Sequence, residues 1–220
     1  MQAHAAWVRV SHWIAAASVT TLAVTGVVIL MAHPRLYWGD AGNDLTPALI
    51  ELPISRNYHH GGFEEPVRFF EDRAAPVSAS RTYDIFNQNG WGRSLHFLAA
   101  WCLVIPGVLY VLTGVLNGHF RQQFWPGVAV AGRRYGVLQG AVYGLVVFVA
   151  APLVVLTGLA MSPAVTAAWP MLLTGFGGHQ SARTLHFVAF LVLAAFAVVH
   201  VAMVARSGFR RQMRAMTLGD

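Results

Sequence analysis

Four long apolar runs, separated by more polar segments, dominate the amino-acid sequence. The runs lie near residues 10–32, 94–118, 136–161 and 184–206, and none contains an acidic residue or a lysine. Crossing the apolar core of a bilayer takes roughly 20 apolar residues in a helix. In lipid, only a helix satisfies its own backbone over such a run. The pattern therefore predicts an all-α integral membrane protein, a four-helix up-down-up-down bundle in which residues 1–220 form a single domain.

The first run could alternatively be a cleavable signal peptide. Its apolar stretch exceeds the usual length of about 7–15 residues for such a core, and its basic leader is a single arginine, Arg9. Because 56% of the chain is hydrophobic and only 11% is charged, against about 25% charged in soluble domains, we expect a retained membrane helix. The lone Cys102 lies inside the second run, so it forms no intrachain disulfide, and we expect it to be a small buried residue.

The charges predict an orientation in the membrane. All 15 basic residues are arginine, and eight of the nine acidic residues lie in the segment 33–91, which we expect to be a long solvent-facing loop. Arginines recur after the second run and in the C-terminal tail, whereas residues 162–182 contain none. The positive-inside rule then predicts a multi-pass membrane protein with both termini and the second connection in the cytoplasm. The net charge of +6 thus reports orientation among membrane lipids, and we expect no nucleic-acid partner.

Histidines follow arginines at a fixed spacing where three of the runs begin. The three copies are Arg9-Val-Ser-His12, Arg93-Ser-Leu-His96 and Arg183-Thr-Leu-His186, and His200 follows in the fourth run. A histidine inside a membrane is unfavourable without a partner, so it indicates function by default. In the predicted topology, His96 and His186 lie near the outer face, whereas His12 and His200 lie near the inner face. Depth alone therefore predicts two histidine pairs.

Two pairs of histidines are what two six-coordinate haems require. Iron accepts the neutral imidazole nitrogen as an axial ligand, and cofactor sites in helix bundles lie between facing helices. Fourteen residues separate His186 from His200, which places them on nearly the same helix face and roughly 21 Å apart. A helix–helix hydrogen bond is the alternative for any single histidine. Two depth-matched pairs favour two haems of type b, and the chain has no Cys-x-x-Cys-His motif for covalent attachment.

The arginines of the motif are candidates for binding the haem propionates. Arg9, Arg93 and Arg183 each lie one turn closer to water than their histidine. The planar guanidinium group binds carboxylates. Snorkelling of the side chain to the interface is the alternative for any one of them. The threefold recurrence favours propionate binding.

The dipeptide Thr-Gly also recurs within the runs, at Thr25-Gly26, Thr113-Gly114 and Thr157-Gly158. Glycine allows a flat macrocycle or a neighbouring backbone to approach closely, and ordinary helix packing explains the dipeptides equally well. The third run contains no histidine, so we expect it to have a packing role.

Four spans with these histidines resemble the bacterial dihaem cytochrome b561 family, which includes the membrane cytochrome subunits of hydrogenases, formate dehydrogenases and thiosulfate-reductase-type enzymes. The resemblance covers the four helices and all four histidines. It implies electron transfer between a periplasmic redox partner, such as a molybdopterin-dependent enzyme, and the quinone pool, through the outer and then the inner haem. It also implies a location in the bacterial inner membrane and a quinone site on the cytoplasmic side. We expect that site to be bordered by His12, His119, Arg121 and His200, which lie near the inner haem in the predicted topology.

The alternative function is a self-contained enzyme that exchanges electrons between quinone and a small diffusible species such as superoxide. The chain contains no nucleophile constellation, paired carboxylates or phosphate-binding loop. Substrate chemistry is therefore expected on a partner protein. The aromatic-rich segment 33–91 suits either a docking face or a lid over the outer haem.

Overall fold

The computed structural model describes residues 5–43, 46–54, 89–118, 120 and 137–219. Four long helices dominate it, and we call them spans 1 to 4. Span 1 is Ala6–Ala32, span 2 is Asn89–Leu116 and span 4 is His179–Arg206. Span 3 is continuous but has three parts, which are Val137–Leu145, a π-helical turn at Val146–Ala150, and Ala151–Ala160. All four are long and apolar enough to cross a membrane, which confirms the predicted fold class.

The spans form two antiparallel pairs. Span 1 packs chiefly on span 2, and span 3 on span 4. In the first pair, Trp7 meets Tyr110 at one end, and the Cα of Gly92 approaches Val28 at the other. The chain also passes between the pairs in the up-down-up-down order, so residues 5 and 219 lie at the same end. We call this the terminal end, and the opposite end the hairpin end.

Span 3 departs from regular helix in its middle. The π-helical turn at Val146–Ala150 lies directly before Pro152, which has no backbone N–H to donate to a preceding turn. Local π geometry is a common way for a helix to accommodate such a break. By contrast, span 2 continues through Pro106 as α-helix.

A short antiparallel hairpin follows span 1. Strand β1 (Arg35–Leu36) pairs with strand β2 (Ile50–Glu51), in the register Arg35↔Glu51 and Leu36↔Ile50. Leu36 and Tyr37 are buried. This is the first part of the predicted loop 33–91, and residues 55–88 lie outside the described residues.

The hairpin segment is fastened to the beginning of span 4. The Gly39 amide donates to Ser181 Oγ over 2.7 Å, and Thr184 Oγ1 donates to the Tyr37 carbonyl over 2.6 Å. The Gly39 carbonyl in turn accepts from the amides of Gln180 and Ser181, which would otherwise have no partner within the first turn of the helix. The described part of the segment, residues 33–43 and 46–54, is therefore fastened to the bundle, and we call it the lid. Two short helices, Pro163–Ala168 and Pro170–Gly175, connect spans 3 and 4 at the same end.

A C-terminal helix, Phe209–Thr217, closes the terminal end. It folds back on span 1, where Trp13 Nε1 donates to the Met216 carbonyl over 3.0 Å. Its arginines, Arg210, Arg211 and Arg214, are exposed. One expectation for span 2 was wrong, because Cys102 is exposed rather than buried. It lies on a face of span 2 that no other described element covers.

Candidate functional site

The structure brings together the four histidines predicted as haem ligands, in the two pairs that depth predicts. At the terminal end the ring centres of His12 and His200 are 6.2 Å apart. At the hairpin end those of His96 and His186 are 6.3 Å apart. Span 4 contributes one histidine to each pair. The other histidine comes from span 1 at the terminal end and from span 2 at the hairpin end. The two sites therefore lie across the interface between the antiparallel helix pairs.

These separations match two imidazoles that share one metal ion. Metal–imidazole bonds are about 2.0–2.1 Å long. The ring centre lies about 1.1 Å behind the bonding nitrogen, so two rings on opposite sides of one metal have centres roughly 6.3 Å apart. Within the described residues no group of three or more His, Cys, Asp or Glu side chains could hold a metal ion. Haem iron takes histidine as a protein ligand, so each pair of imidazoles is a donor set that would hold a haem.

The second nitrogen of each hairpin-end histidine is held by a buried threonine. Thr25 Oγ1 of span 1 lies 2.9 Å from His96 Nδ1, and Thr157 Oγ1 of span 3 lies 3.1 Å from His186 Nδ1. Both threonine hydroxyls also donate to carbonyls of their own helices, Thr25 to Thr21 over 2.7 Å and Thr157 to Leu153 over 2.6 Å.

This arrangement selects the histidine tautomer. A threonine hydroxyl has a single proton. Since that proton is directed to a helix carbonyl, the oxygen is left to accept a hydrogen bond from Nδ1–H. The proton on Nδ1 leaves the lone pair of the other ring nitrogen, Nε2, free for a metal. The contacts of both hairpin-end histidines thus fit the tautomer in which Nε2 would bind a haem iron.

Small residues make room for these two rings. The Cα of Gly26 faces the His96 ring, where an added Cβ would lie 3.6 Å from Cε1. A Cβ added at Gly158 would lie 3.3 Å from Cε1 of His186. The two Thr-Gly dipeptides are thus equivalent, because each lies on the antiparallel neighbour of the span that carries the histidine.

At the terminal end the histidines have different neighbours. Tyr143 Oη of span 3 lies 3.0 Å from His200 Nδ1, and Phe196 stacks on the His200 ring with centres 5.7 Å apart. His12 Nδ1 is buried and has no hydrogen-bond partner among the residues that the structure describes.

The family can be stated from the sequence as a whole. A model of the prokaryotic cytochrome b561 family matches residues 3–219. The chain belongs to the prokaryotic cytochrome b561 family. It is therefore a membrane haem b protein of electron transport, as the resemblance in the sequence predicted. A relative from Azospira oryzae, named YedZ1 and provisionally assigned as a protein-methionine-sulfoxide reductase subunit, is 27% identical over an alignment of 219 positions that covers 92% of this chain and 89% of the relative. No solved structure matches the chain.

Within this cytochrome b561, the three arginines of the motif have different surroundings. Arg183 donates to the carbonyls of Arg35, over 3.1 Å, and His33. Partial burial, together with the charges of Arg183 and Arg35, lowers the pKa of His33. Arg93 is exposed. Arg9 lies beside Gly219, and its Nη1 is buried without a hydrogen-bond partner in the described part of the chain. Propionate binding by the three arginines stays a prediction.

Two predicted residues, His119 and Arg121, lie outside the described residues. The structure also adds one residue that the sequence did not single out, Tyr143. The signal that could have found it is its spacing, because Tyr143 and Thr157 are fourteen residues apart, as His186 and His200 are.

Proposed function

We propose that this cytochrome b561 binds two b haems and passes electrons between a periplasmic redox partner and the quinone pool. His96 and His186 would hold the haem at the hairpin end, and His12 and His200 the haem at the terminal end. Each bound haem would supply a one-electron iron couple at its level of the membrane. The observation that carries the proposal is the separation within both histidine pairs, 6.2 and 6.3 Å.

The hairpin end would face the periplasm and the terminal end the cytoplasm, in the bacterial inner membrane. Exposed arginines of the C-terminal helix lie at the terminal end, and the connection between spans 3 and 4 at the other end has no arginine before Arg183. This asymmetry is what the positive-inside rule associates with a cytoplasmic terminal end.

The periplasmic partner would dock at the hairpin end and carry out the substrate chemistry there. The assignment of the Azospira relative as a reductase subunit supports a partner enzyme, and we propose a molybdopterin-dependent one. The lid contributes an exposed aromatic residue, Trp38, and exposed Leu49 and Ile50 at this end. Aromatic side chains are enriched in docking faces, and the buried core of such a face is more apolar than the rest of the surface.

The quinone would bind at the terminal end, bordered by His12, His119, Arg121 and His200. Quinone carbonyls need one or two hydrogen-bond donors in an apolar slot close to the electron donor. The side chains of His119 and Arg121 follow span 2 directly in the sequence, and span 2 ends at Leu116 on this side of the bundle.

Haem stoichiometry tests the proposal. A pyridine haemochrome assay of the purified protein should give two non-covalent b haems per chain, each with a low-spin spectrum. His96→Ala and His186→Ala should remove the same haem, and His12→Ala and His200→Ala the other one. His179→Ala is the matched control, because His179 is exposed at the beginning of span 4 and should leave both haems in place. One haem or none in the unmodified protein would contradict the proposal. The same spectral loss in His12→Ala and His186→Ala would contradict the pairing.

A second measurement distinguishes our proposal from the alternative, a self-contained enzyme acting on superoxide. Under our proposal, the purified chain alone shows no turnover with superoxide and a soluble quinone. It co-purifies from native membranes with a periplasmic redox protein.

A further inference from the structure

Span 3 has no histidine, yet its polar side chains contact His186 and His200 of span 4. Tyr143 Oη lies 3.0 Å from His200 Nδ1, and Thr157 Oγ1 lies 3.1 Å from His186 Nδ1. The two helices are antiparallel. Tyr143 and Thr157 are fourteen residues apart on span 3, as His186 and His200 are on span 4. One helix therefore reaches both levels of the membrane at which haem is proposed.

The contact at the hairpin end leaves the ring of His186 little freedom. Thr157 is fully buried, and its hydroxyl proton is directed to the Leu153 carbonyl. With the proton directed to that carbonyl, the oxygen accepts from Nδ1–H of His186. The adjacent Gly158 lies so close to His186 Cε1 that an added Cβ would be 3.3 Å away. The hydrogen bond and the close backbone together fix the rotation of the ring.

The contact at the terminal end uses a phenol instead of an aliphatic hydroxyl. The Tyr143 ring packs edge-on against Phe196 with centres 5.4 Å apart, and Phe196 stacks on His200. If the Nε2 atom of His200 binds iron, Nδ1 of the same ring carries the proton. Tyr143 Oη then accepts a hydrogen bond from this Nδ1–H. The π-helical turn Val146–Ala150 lies between the two contacts, and such turns are frequent where a helix serves a functional site.

We propose that span 3 is the positioning helix for the haem ligands of span 4, with Thr157 acting on His186 and Tyr143 acting on His200. The inference rests on the proposed haem ligation. An acceptor on Nδ1–H fixes the tautomer and the ring orientation, and it raises the basicity of the ligand. A more basic ligand favours ferric over ferrous iron, so each contact lowers the reduction potential at its own level only.

Substitutions that remove only the hydroxyl test this inference. Thr157→Val keeps the shape of the side chain, and Tyr143→Phe keeps the ring. Both variants should bind two haems. Thr157→Val should raise the midpoint potential of the hairpin-end haem alone, and Tyr143→Phe that of the terminal-end haem alone. The electron paramagnetic resonance signal of the affected ferric haem should shift as its imidazole rotates.

The matched control is Thr113→Val in span 2. Thr113 Oγ1 donates to the Leu109 and Tyr110 carbonyls of its own helix, so neither potential should change. Thr157→Ser retains the hydroxyl and should restore the original potential.

Two results would overturn the inference. The first is that Thr157→Val and Tyr143→Phe both retain two haems with unchanged potentials and spectra. The second, should Thr157→Val lose the hairpin-end haem, is that Thr157→Ser loses it as well. If the unmodified protein contains two haems, neither result contradicts the proposed haem ligation. Fewer than two haems in the unmodified protein would instead contradict the proposed function itself.

Discussion

Arg93 and Arg183 precede their histidines at the same spacing, but the structure places the two guanidinium groups differently. Arg183 donates to the carbonyls of His33 and Arg35, so it holds the lid to span 4. Arg93 is exposed and lies one turn closer to the hairpin end than His96. It is therefore the better candidate to contact a propionate without also supporting the fold.

Arg93→Gln should lower the midpoint potential of the hairpin-end haem. A ferric haem carries one more positive charge than a ferrous one, so removing a nearby cation favours the ferric form, and local charge is one of the influences that tune such a potential. Redox titration of the purified variant measures the effect, with the terminal-end haem as an internal control. An unchanged hairpin-end potential would instead support interfacial snorkelling of Arg93.

Pairing of the histidines could be predicted from the sequence, but the hydrogen bonds that orient them could not. The depth of a residue follows from its position in an apolar run, so the pattern of the chain is enough to predict His12 and His200 at one level. The rotation of one helix against another depends on packing along its whole length. For that reason the sequence leaves Thr25 and Thr157 open between haem approach and helix packing, and it does not single out Tyr143.

The secondary-structure elements also differ in how far the sequence predicts them. The four apolar runs predicted four spans whose ends lie within about five residues of the structure. The short hairpin after span 1 and the C-terminal helix were not predicted, because each depends on contacts with another element. The expected packing role of span 3 is incomplete, since its polar side chains contact His186 and His200 of span 4.

One glycine of span 2 fits against an aromatic cluster near the terminal end. A Cβ on Gly114 would come within 2.5 Å of the Phe120 ring. This ring cannot yield easily, because it packs between Tyr110 and Phe148 with centres 5.6 and 5.0 Å away. The cluster joins span 2 to the π-helical turn of span 3.

Gly114→Ala should therefore destabilise the protein, by about 1–3 kcal/mol as for other overpacked interiors. Thermal unfolding in detergent measures the change. Gly144→Ala in span 3 is the control, because an added Cβ there meets nothing within 4 Å, and alanine is the better helix former by up to about 1 kcal/mol. The double variant Gly114→Ala with Phe120→Leu should recover part of the loss. If Gly114→Ala and Gly144→Ala unfold at the same temperature, the close packing at Phe120 is not a constraint.

The molecule as a whole consists of two antiparallel helix pairs joined across the histidine sites. His12 and His96 belong to one pair, and His186 and His200 to the other. A cofactor bound between them would hold the pairs together, because a ligand that binds only the folded state stabilises it. It would also connect the two faces of the membrane at levels roughly 21 Å apart along span 4.

Such a connection is useful only if each face exchanges electrons with a different partner. The hairpin end presents the lid, with exposed Trp38 and Ile50, and suits a protein partner. The terminal end has the C-terminal helix on span 1, and His119 and Arg121 follow span 2 there in the sequence. A quinone that reaches its site from the bilayer fits this end.

His119→Leu should slow the oxidation of the terminal-end haem by a soluble quinone analogue, because it removes a hydrogen-bond donor for a quinone carbonyl. Both haems should stay bound, since His119 belongs to neither histidine pair. Stopped-flow spectroscopy of the dithionite-reduced protein measures the rate. His179→Leu is the matched control, because it makes the same substitution at an exposed histidine of the hairpin end and should not change the rate. Equal rates in His119→Leu and the unmodified protein would place the quinone pocket elsewhere, with the hairpin end beneath the lid as the next region to test.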